Sequence, residues 1–266
     1  MRKILVSATA SVLIAYGFFA FAGASDRDLV AHQETVNVDG DLDDWNLNTY
    51  SEDQYGVLDS SNIQFYPGIG SMKSDGDKDL SAKVYAAWDD DYIYIAAVVR
   101  DDSVERDGAN PYENDGLTLW IDGAHDGGLS IEGTPDIDSA QIELNSDGFV
   151  AVYRALDTAG IAGKVICAGK DTATGYVVEA AIPYDILDAL EDLEPKLDSV
   201  IGLAWSFNDN DGADWVLASP WEEKGLVLPD EYGDLILSGF TSVDFGMELP
   251  TTWGSIKINL TTLDPK

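Results

Sequence analysis

The densest chemistry in this chain is an aromatic side chain beside carboxylates at the mouth of a strand. Between Asn110 and Asp122, Tyr112 leads into two acids, Glu113 and Asp115. An apolar run from Leu117 to Ile121 follows and stops at a third acid, Asp122. Two kinds of site use such a grouping. In one, a ring stacks on the apolar C–H face of a sugar, its negative face meeting weakly positive hydrogens. Neighbouring amides and acids then fix which hydroxyls fit. In the other, loop carboxylates and carbonyls supply the roughly six to eight hard oxygens that calcium takes.

Other chemistries are poorly supplied. His32 and His125 are the only histidines, and no Gly-x-Ser-x-Gly run is present to hold a nucleophile. Zinc would need more His or Cys. EF-hand spacing fails, because Phe207 stands where the first ligand should precede Asp209, Asp211 and Gly212. A glycosidase needs only two carboxylates; acids abound here, but nothing marks a pair.

The elements that would position these residues are nearly all strands. Ala82–Trp88 and Tyr92–Arg100 read as a hairpin around Asp89-Asp90-Asp91, the second strand apolar on both faces. Further strands are expected at Leu117–Ile121, Ala140–Leu144, Phe149–Arg154, Val165–Ala168, Tyr176–Ala181, Val200–Phe207, Trp215–Ala218, Leu235–Leu237 and Ile256–Leu260. Gly/Asp turns separate them, a pattern that predicts an all-β sandwich of two antiparallel sheets, jelly-roll or immunoglobulin-like. One short helix is expected over Tyr184–Asp192, opened by Pro183 and stopped by Pro195. Residues 50–80 read as a long loop. Trp88, Trp120 and Trp205 alternate with apolar neighbours and are expected in the core. Trp45 should plug the sandwich end, and Trp253 reads as structural.

The chain has 266 residues, 45% of them apolar, enough for one sizeable core. Arg2 and Lys3, an apolar run and the small residues Ala22-Gly23-Ala24 predict a signal peptide over 1–24. One domain is then expected over 25–266, with its core at about 34–238 and a C-terminal extension over 239–266. Within that extension Thr251–Leu260 should add a strand to a sheet edge. The net charge is −34, which excludes nucleic acid and anionic membranes as partners. Most of the acids read as a solvated surface suited to salty water. Cys167, the single cysteine, has no partner for an internal disulfide and is expected to be buried and inert.

Several runs, in order, resemble one family. They are Val38-Asp39-Gly40-Asp41-Leu42-Asp43-Asp44-Trp45, Lys83–Asp89 with Tyr92–Ile95, Pro111–Asp122, Gly175–Pro183, Ile201–Leu203 and Tyr232–Leu237. Over about residues 34–238 the chain is similar to the family 9 carbohydrate-binding modules attached to bacterial xylanases. The resemblance implies a β-sandwich with structural calcium and two aromatic rings that clamp a reducing-end sugar. Tyr112 falls where the family has its first clamp aromatic, usually Trp, and Asn145 falls on a sugar-contacting Asn. Glu143 replaces a family Arg, and Thr118 replaces a carboxylate. Leu226 stands where the second clamp aromatic is expected, with Trp221 and Trp215 close enough in sequence to substitute.

The carbohydrate-binding candidates are therefore Tyr112, Asn145, Trp221, Trp215, Asn208 and Asp209, with Trp221 or Trp215 facing Tyr112 across the sugar. The calcium candidates are Asp101, Asp115, Asp122 and Asp138, with Asp102, Glu113 and Asp136 at the same strand ends. The expected function is that of a secreted or periplasmic, non-catalytic protein. It binds an oligo- or polysaccharide and leaves hydrolysis to a partner glycoside hydrolase. Two other readings stay open. Related DOMON-type sandwiches carry haem for electron transfer, for which Met72, Met247, His32 and His125 are the Met/His ligands on offer. A calcium-stabilised surface or adhesion module would use no sugar at all.

Overall fold

A computed structural model describes residues 27–66, 74–127, 139–153, 155, 158–186, 196–212, 215–221 and 228–239. The expected signal peptide, Asp136, Asp138, Leu226, Trp253 and the Thr251–Leu260 strand lie outside these residues. The described chain is nearly all β. Its strands are β1 Leu29–Gln33, β2 Gly56–Leu58, β3 Gln64–Phe65, β4 Leu80–Trp88, β5 Tyr92–Asp101, β6 Gly116–Asp122 and β7 Ser139–Asn145. They continue with β8 Val150–Tyr153, β9 Ile166–Thr172, β10 Gly175–Pro183, β11 Val200–Asn210, β12 Trp215–Ser219 and β13 Gly233–Ser238. One short α-helix, α1, spans Thr158–Ala162.

The strands pair in the order β8-β7-β6-β11-β13-β1-β4-β5-β10-β9, with β12 on β11, β3 on β12 and β2 on β4. The pairing is antiparallel except at β1, which runs parallel to both β13 and β4. β1 thus joins what was expected as two sheets into one hydrogen-bonded path. That path curls until its two edges meet: a Cβ on Gly169 of β9 would lie 2.1 Å from the Ser146 carbonyl at the end of β7. Only a glycine permits that approach. The architecture is consistent with a β-sandwich.

The β4–β5 hairpin forms as predicted. Asp89 closes it, its Oδ1 accepting the Asp91 and Tyr92 amides at 2.9 Å and its Oδ2 the Tyr94 hydroxyl at 2.7 Å. β5 is apolar on both faces because each face meets its own core. Ile93, Ile95, Ala97 and Val99 join the main core, while Tyr94 and Ala96 join a smaller one with Val36, Trp45, Tyr50, Tyr85, Ala87 and Ala181. Residues 34–50 cover that outer face and are fastened to Glu179 of β10. Glu179 is fully buried and accepts the Trp45 indole N–H at 2.6 Å, the Gly40 amide at 2.6 Å and the Asp39 amide at 3.2 Å. Gly40 takes φ +83°, the left-handed region, where a side chain would be strained.

Three expectations need correction. Residues 50–80 are not one loop, since β2 and β3 lie within them, each completed by a longer neighbour. The helix expected from Tyr184 is a single 3-10 turn, Tyr184–Ile186, within the described residues, and the regular helical turn lies at Thr158–Ala162 instead. Cys167, expected to be buried, is only partly so, though it packs against the core and burial pushes its thiol up to about 12. No helix among the described residues is long and apolar enough to cross a membrane.

Candidate functional site

Strands β6, β7 and β11 lie side by side and divide their residues between two faces. Successive side chains alternate, and residues paired across antiparallel strands share a face. Leu117, Leu119, Ile142, Leu144, Trp205 and Phe207 therefore enter the main core. On the other face the register sets Thr118 between Glu143 and Ser206, and Gly116 between Asn145 and Asn208. The result is a strip of polar side chains, all buried. Thr118 donates its hydroxyl to Glu143 Oε1 at 3.0 Å, and Asn208 Nδ2 donates to the same oxygen. Trp120 is in the core as expected and also borders this strip, its indole donating to Ser206 Oγ at 3.1 Å. Asn145 Nδ2 donates to the Pro111 carbonyl at 3.2 Å. Glu143 Oε2 and Asn145 Oδ1 have no hydrogen-bond partner. Burial pushes the Glu143 carboxyl up to about 8, against a smaller downward effect of the Thr118 hydroxyl.

Three half-buried rings stand over one end of this strip. Tyr112 sits in a 3-10 turn, Pro111–Glu113, closed by a capping box between Asn110 and Glu113. Its ring lies 5.3 Å from that of Trp215 at 48°, and 6.1 Å from that of Tyr153 at 64°. Trp215 is placed by its pairing with Asn210, and Tyr153 by its pairing with Gln141.

The structure thus brings together Tyr112, Trp215, Asn145 and Asn208 of the predicted binding residues. It adds Tyr153, which the sequence reading missed; alternation from Gln141 across β8 was the only signal for it. Trp221 is a correction. It is 1% exposed, donates to the Glu231 carbonyl at 3.0 Å and packs edge-on against Trp205 in the core. Tyr112 and Trp215 also do not stand as opposed jaws. A sugar sandwiched between two rings needs about 7–8 Å, two contacts of about 3.5–4 Å each. Rings in mutual contact form one platform instead.

Asp209 is a second correction. It follows Asn208 by one residue, so it points to the opposite face. There it meets Asp101 at the end of β5 and Asp115 before β6, the three offering oxygens within 4.8 Å of one another. All three are buried. Burial pushes Asp101 up to about 6, helped by Asp211, Asp102 and Asp79 against the Ser103 amide it accepts; burial, then repulsion from Asp101 and Asp115, pushes Asp209 up to about 9. Burial, then repulsion from Asp101, pushes Asp115 up to about 8, against the amides it accepts. Asp101 Oδ2, Asp209 Oδ2 and the fully buried Tyr176 hydroxyl find no hydrogen-bond partner. Unsatisfied buried carboxylate oxygens around one point are what a hard divalent cation completes, so these residues fit calcium. Asp79, Asp102 and Asp211 form a second trio, with Asp102 and Asp211 exposed.

The other predicted calcium ligands stand elsewhere. Asp122 lies at the far end of β6 from Asp115 and accepts the Gly127 amide at 3.1 Å. The Glu113 carboxylate is occupied by Asn110, at 3.1 Å and 3.0 Å. His32 is stacked on Tyr50 with centroids 3.8 Å apart, and His125 lies 3.6 Å from Asp234. Neither histidine joins either site, and Met72 and Met247 lie outside the described residues.

The sequence profile of the carbohydrate family 9 binding domain-like proteins matches residues 59–239. This chain belongs to that family. The family 9 domain is a binding unit, not a catalyst. It is 28% identical over 208 residues to endo-1,4-beta-xylanase A of Thermotoga maritima, covering 76% of this chain and 17% of the xylanase. Exoglucanase XynX of Acetivibrio thermocellus is 28% identical over 172 residues, 63% of this chain and 14% of that enzyme. The domain therefore spans a small part of the length of these relatives. A family 9 carbohydrate-binding module from Caldicellulosiruptor kristjanssonii, solved with cellotriose, superposes with a TM-score of 0.59 at 20% identity, covering 81% of this chain and 96% of that one. The module solved with glucose gives 0.58 at 20% identity, covering 81% and 98%. These likenesses show a shared fold.

Proposed function

We propose that this chain is an exported glycan-binding domain that stacks a sugar on the Tyr112–Trp215 platform and reads its hydroxyls through the polar strip beneath. The observation that carries the reading is the joining of three half-buried rings to a floor with two buried, unpartnered acceptors, Glu143 Oε2 and Asn145 Oδ1. Sugar hydroxyls donate to acceptors of this kind, and the rings supply the apolar contact. The floor lies under the rings, so entry of a sugar requires a ring to turn aside. The solved relatives bound to cellotriose and glucose and the xylanase relatives favour a neutral glucan or xylan, with hydrolysis left to a glycoside hydrolase. Calcium at Asp101, Asp115 and Asp209 stiffens the fold in this reading. Export rests on the sequence signals over residues 1–24.

Calorimetric titration with cellotriose, xylotriose and glucose tests the binding. Micromolar to millimolar affinity for at least one of them is expected, and no heat from any with a folded protein would overturn it. Melting in calcium and in chelator tests the metal. Calcium at about 100 times its Kd adds about 2.7 kcal/mol, a rise of roughly 5–10 °C for a domain of this size. Equal melting temperatures would remove calcium from the reading.

A further inference from the structure

The two sites described above share a joint at Asp115. We propose that a divalent cation held by Asp101, Asp115 and Asp209 sets the affinity of the ring platform for glycan, with Asp115 and Asn210 as positioning residues. The proposal rests on the glycan reading and names a regulation of that same site.

Asp115 stands three residues after Tyr112 and holds the surrounding segments with both of its ends. Its Oδ1 accepts the Asn210 amide at 2.7 Å, and its Oδ2 accepts the Glu105 amide. Its own amide donates to the Glu105 carbonyl at 3.0 Å, and its carbonyl accepts the Ser146 amide at 2.8 Å. Asn210 then reaches the platform twice. Its side-chain amide donates to the Glu113 carbonyl, and its backbone pairs with Trp215. The Pro111 carbonyl, on the other side of Tyr112, accepts from Asn145 at 3.2 Å. Tyr112 is therefore suspended between two amide side chains. One of them, Asn210, hangs from a carboxylate of the cation trio and also sets the position of Trp215.

Without a cation, three buried carboxyl groups face one another with only Asp115 bonded through both oxygens. They either repel or take up protons, and in neither state are the ends of β5, β6 and β11 drawn to one point. A cation draws them together and so favours the arrangement that holds Asn210 against Glu113. A ligand that prefers one arrangement shifts the population toward it. If glycan and cation prefer the same arrangement, each must tighten the other by the same factor.

The test titrates cellotriose at saturating calcium and in chelator, and titrates calcium with and without cellotriose. The expected result is a gain in glycan affinity of about fivefold or more, matched by an equal gain in calcium affinity. Calcium alone should slow amide exchange across residues 105–116. Asn210→Ala leaves all three carboxylates in place. It keeps the backbone links to Asp115 and Trp215 and loses only the bond to Glu113, so calcium affinity is expected to stay within about twofold, which also reports an intact fold, and the coupling factor to fall at least about threefold. Glycan binding with the same Kd in calcium and chelator overturns the coupling while the glycan reading stands. Calcium binding with no glycan binding in either condition overturns the glycan reading and the coupling with it. Undiminished coupling in Asn210→Ala overturns the role given to the Asn210 side chain.

Discussion

At the scale of single residues, neighbours in sequence do opposite work. Asn208 lines the polar strip and Asp209 joins the carboxylate trio, because one step along β11 reverses the direction of a side chain. Trp215 and Trp221, six residues apart, also separate into platform and core, because β12 ends at Ser219 and Trp221 turns inward beyond it, its indole held by the Glu231 carbonyl. Substitutions should read out this division. Tyr112→Ala is expected to weaken cellotriose binding by about 2 kcal/mol, roughly thirtyfold, with a small change in melting temperature. Trp221→Ala, which empties a fully buried site, is expected to cost about 3–5 kcal/mol of stability in a urea titration. The reverse pattern, a stable Trp221→Ala that has lost binding, would restore Trp221 as the stacking ring. Glu143 adds a pH signature. Its carboxyl is raised to about 8 from an ordinary 4.5, so the folded state favours the protonated form. The stability it contributes is whole below about pH 4.5 and is lost as pH rises through about 8. Melting scans from pH 5 to 9 in saturating calcium should show wild type falling more steeply than Glu143→Gln. Parallel curves would show that Glu143 ionises without cost.

At the scale of elements, the central hairpin and the strands around the site were legible because their apolar runs are long and their turns carry Gly or Asp. β1 was not read, because its apolar run Leu29–Ala31 passes into His32 and Gln33 with no Gly or Pro turn at either end. β2 and β3 were hidden because each is completed only by pairing with a distant strand. Tyr112, Asn145 and Asp115 could be read from motif and type. The joining of Asp209 to Asp101 could not, since it depends on three strand ends converging. The Val38–Trp45 run was read as a signature without a mechanism, and its mechanism is the attachment to Glu179. Glu179→Ala leaves two buried donors, the Trp45 indole and the Gly40 amide, and a partly buried third, the Asp39 amide, without an acceptor, and should cost about 3 kcal/mol. It should also open Trp45 to an aqueous fluorescence quencher while the main core persists. A loss below about 1 kcal/mol with Trp45 still shielded would show that packing alone holds residues 34–50 in place.

At the scale of the whole molecule, closure matters more than any one strand. The β9 edge of the hydrogen-bonded path approaches the β7–β8 turn where Gly169 meets Ser146, which leaves less of that edge open as a template for strand addition. A charge of −34 further discourages self-association and anionic polymers. The parallel pairing of β1 with β13 has a mechanical consequence. The backbone enters β1 beside Gly233 and leaves β13 beside Gln33, at opposite ends of a four-residue register from Leu29↔Leu235 to His32↔Ser238. Force applied through Arg27 and Gly239 would therefore slide the two strands past each other, and their hydrogen bonds would have to fail together rather than one after another. In single-molecule pulling, the Arg27–Gly239 direction should rupture at a higher force than a direction that peels the β4–β5 hairpin apart, and equal forces would show that the β1–β13 pair bears no load.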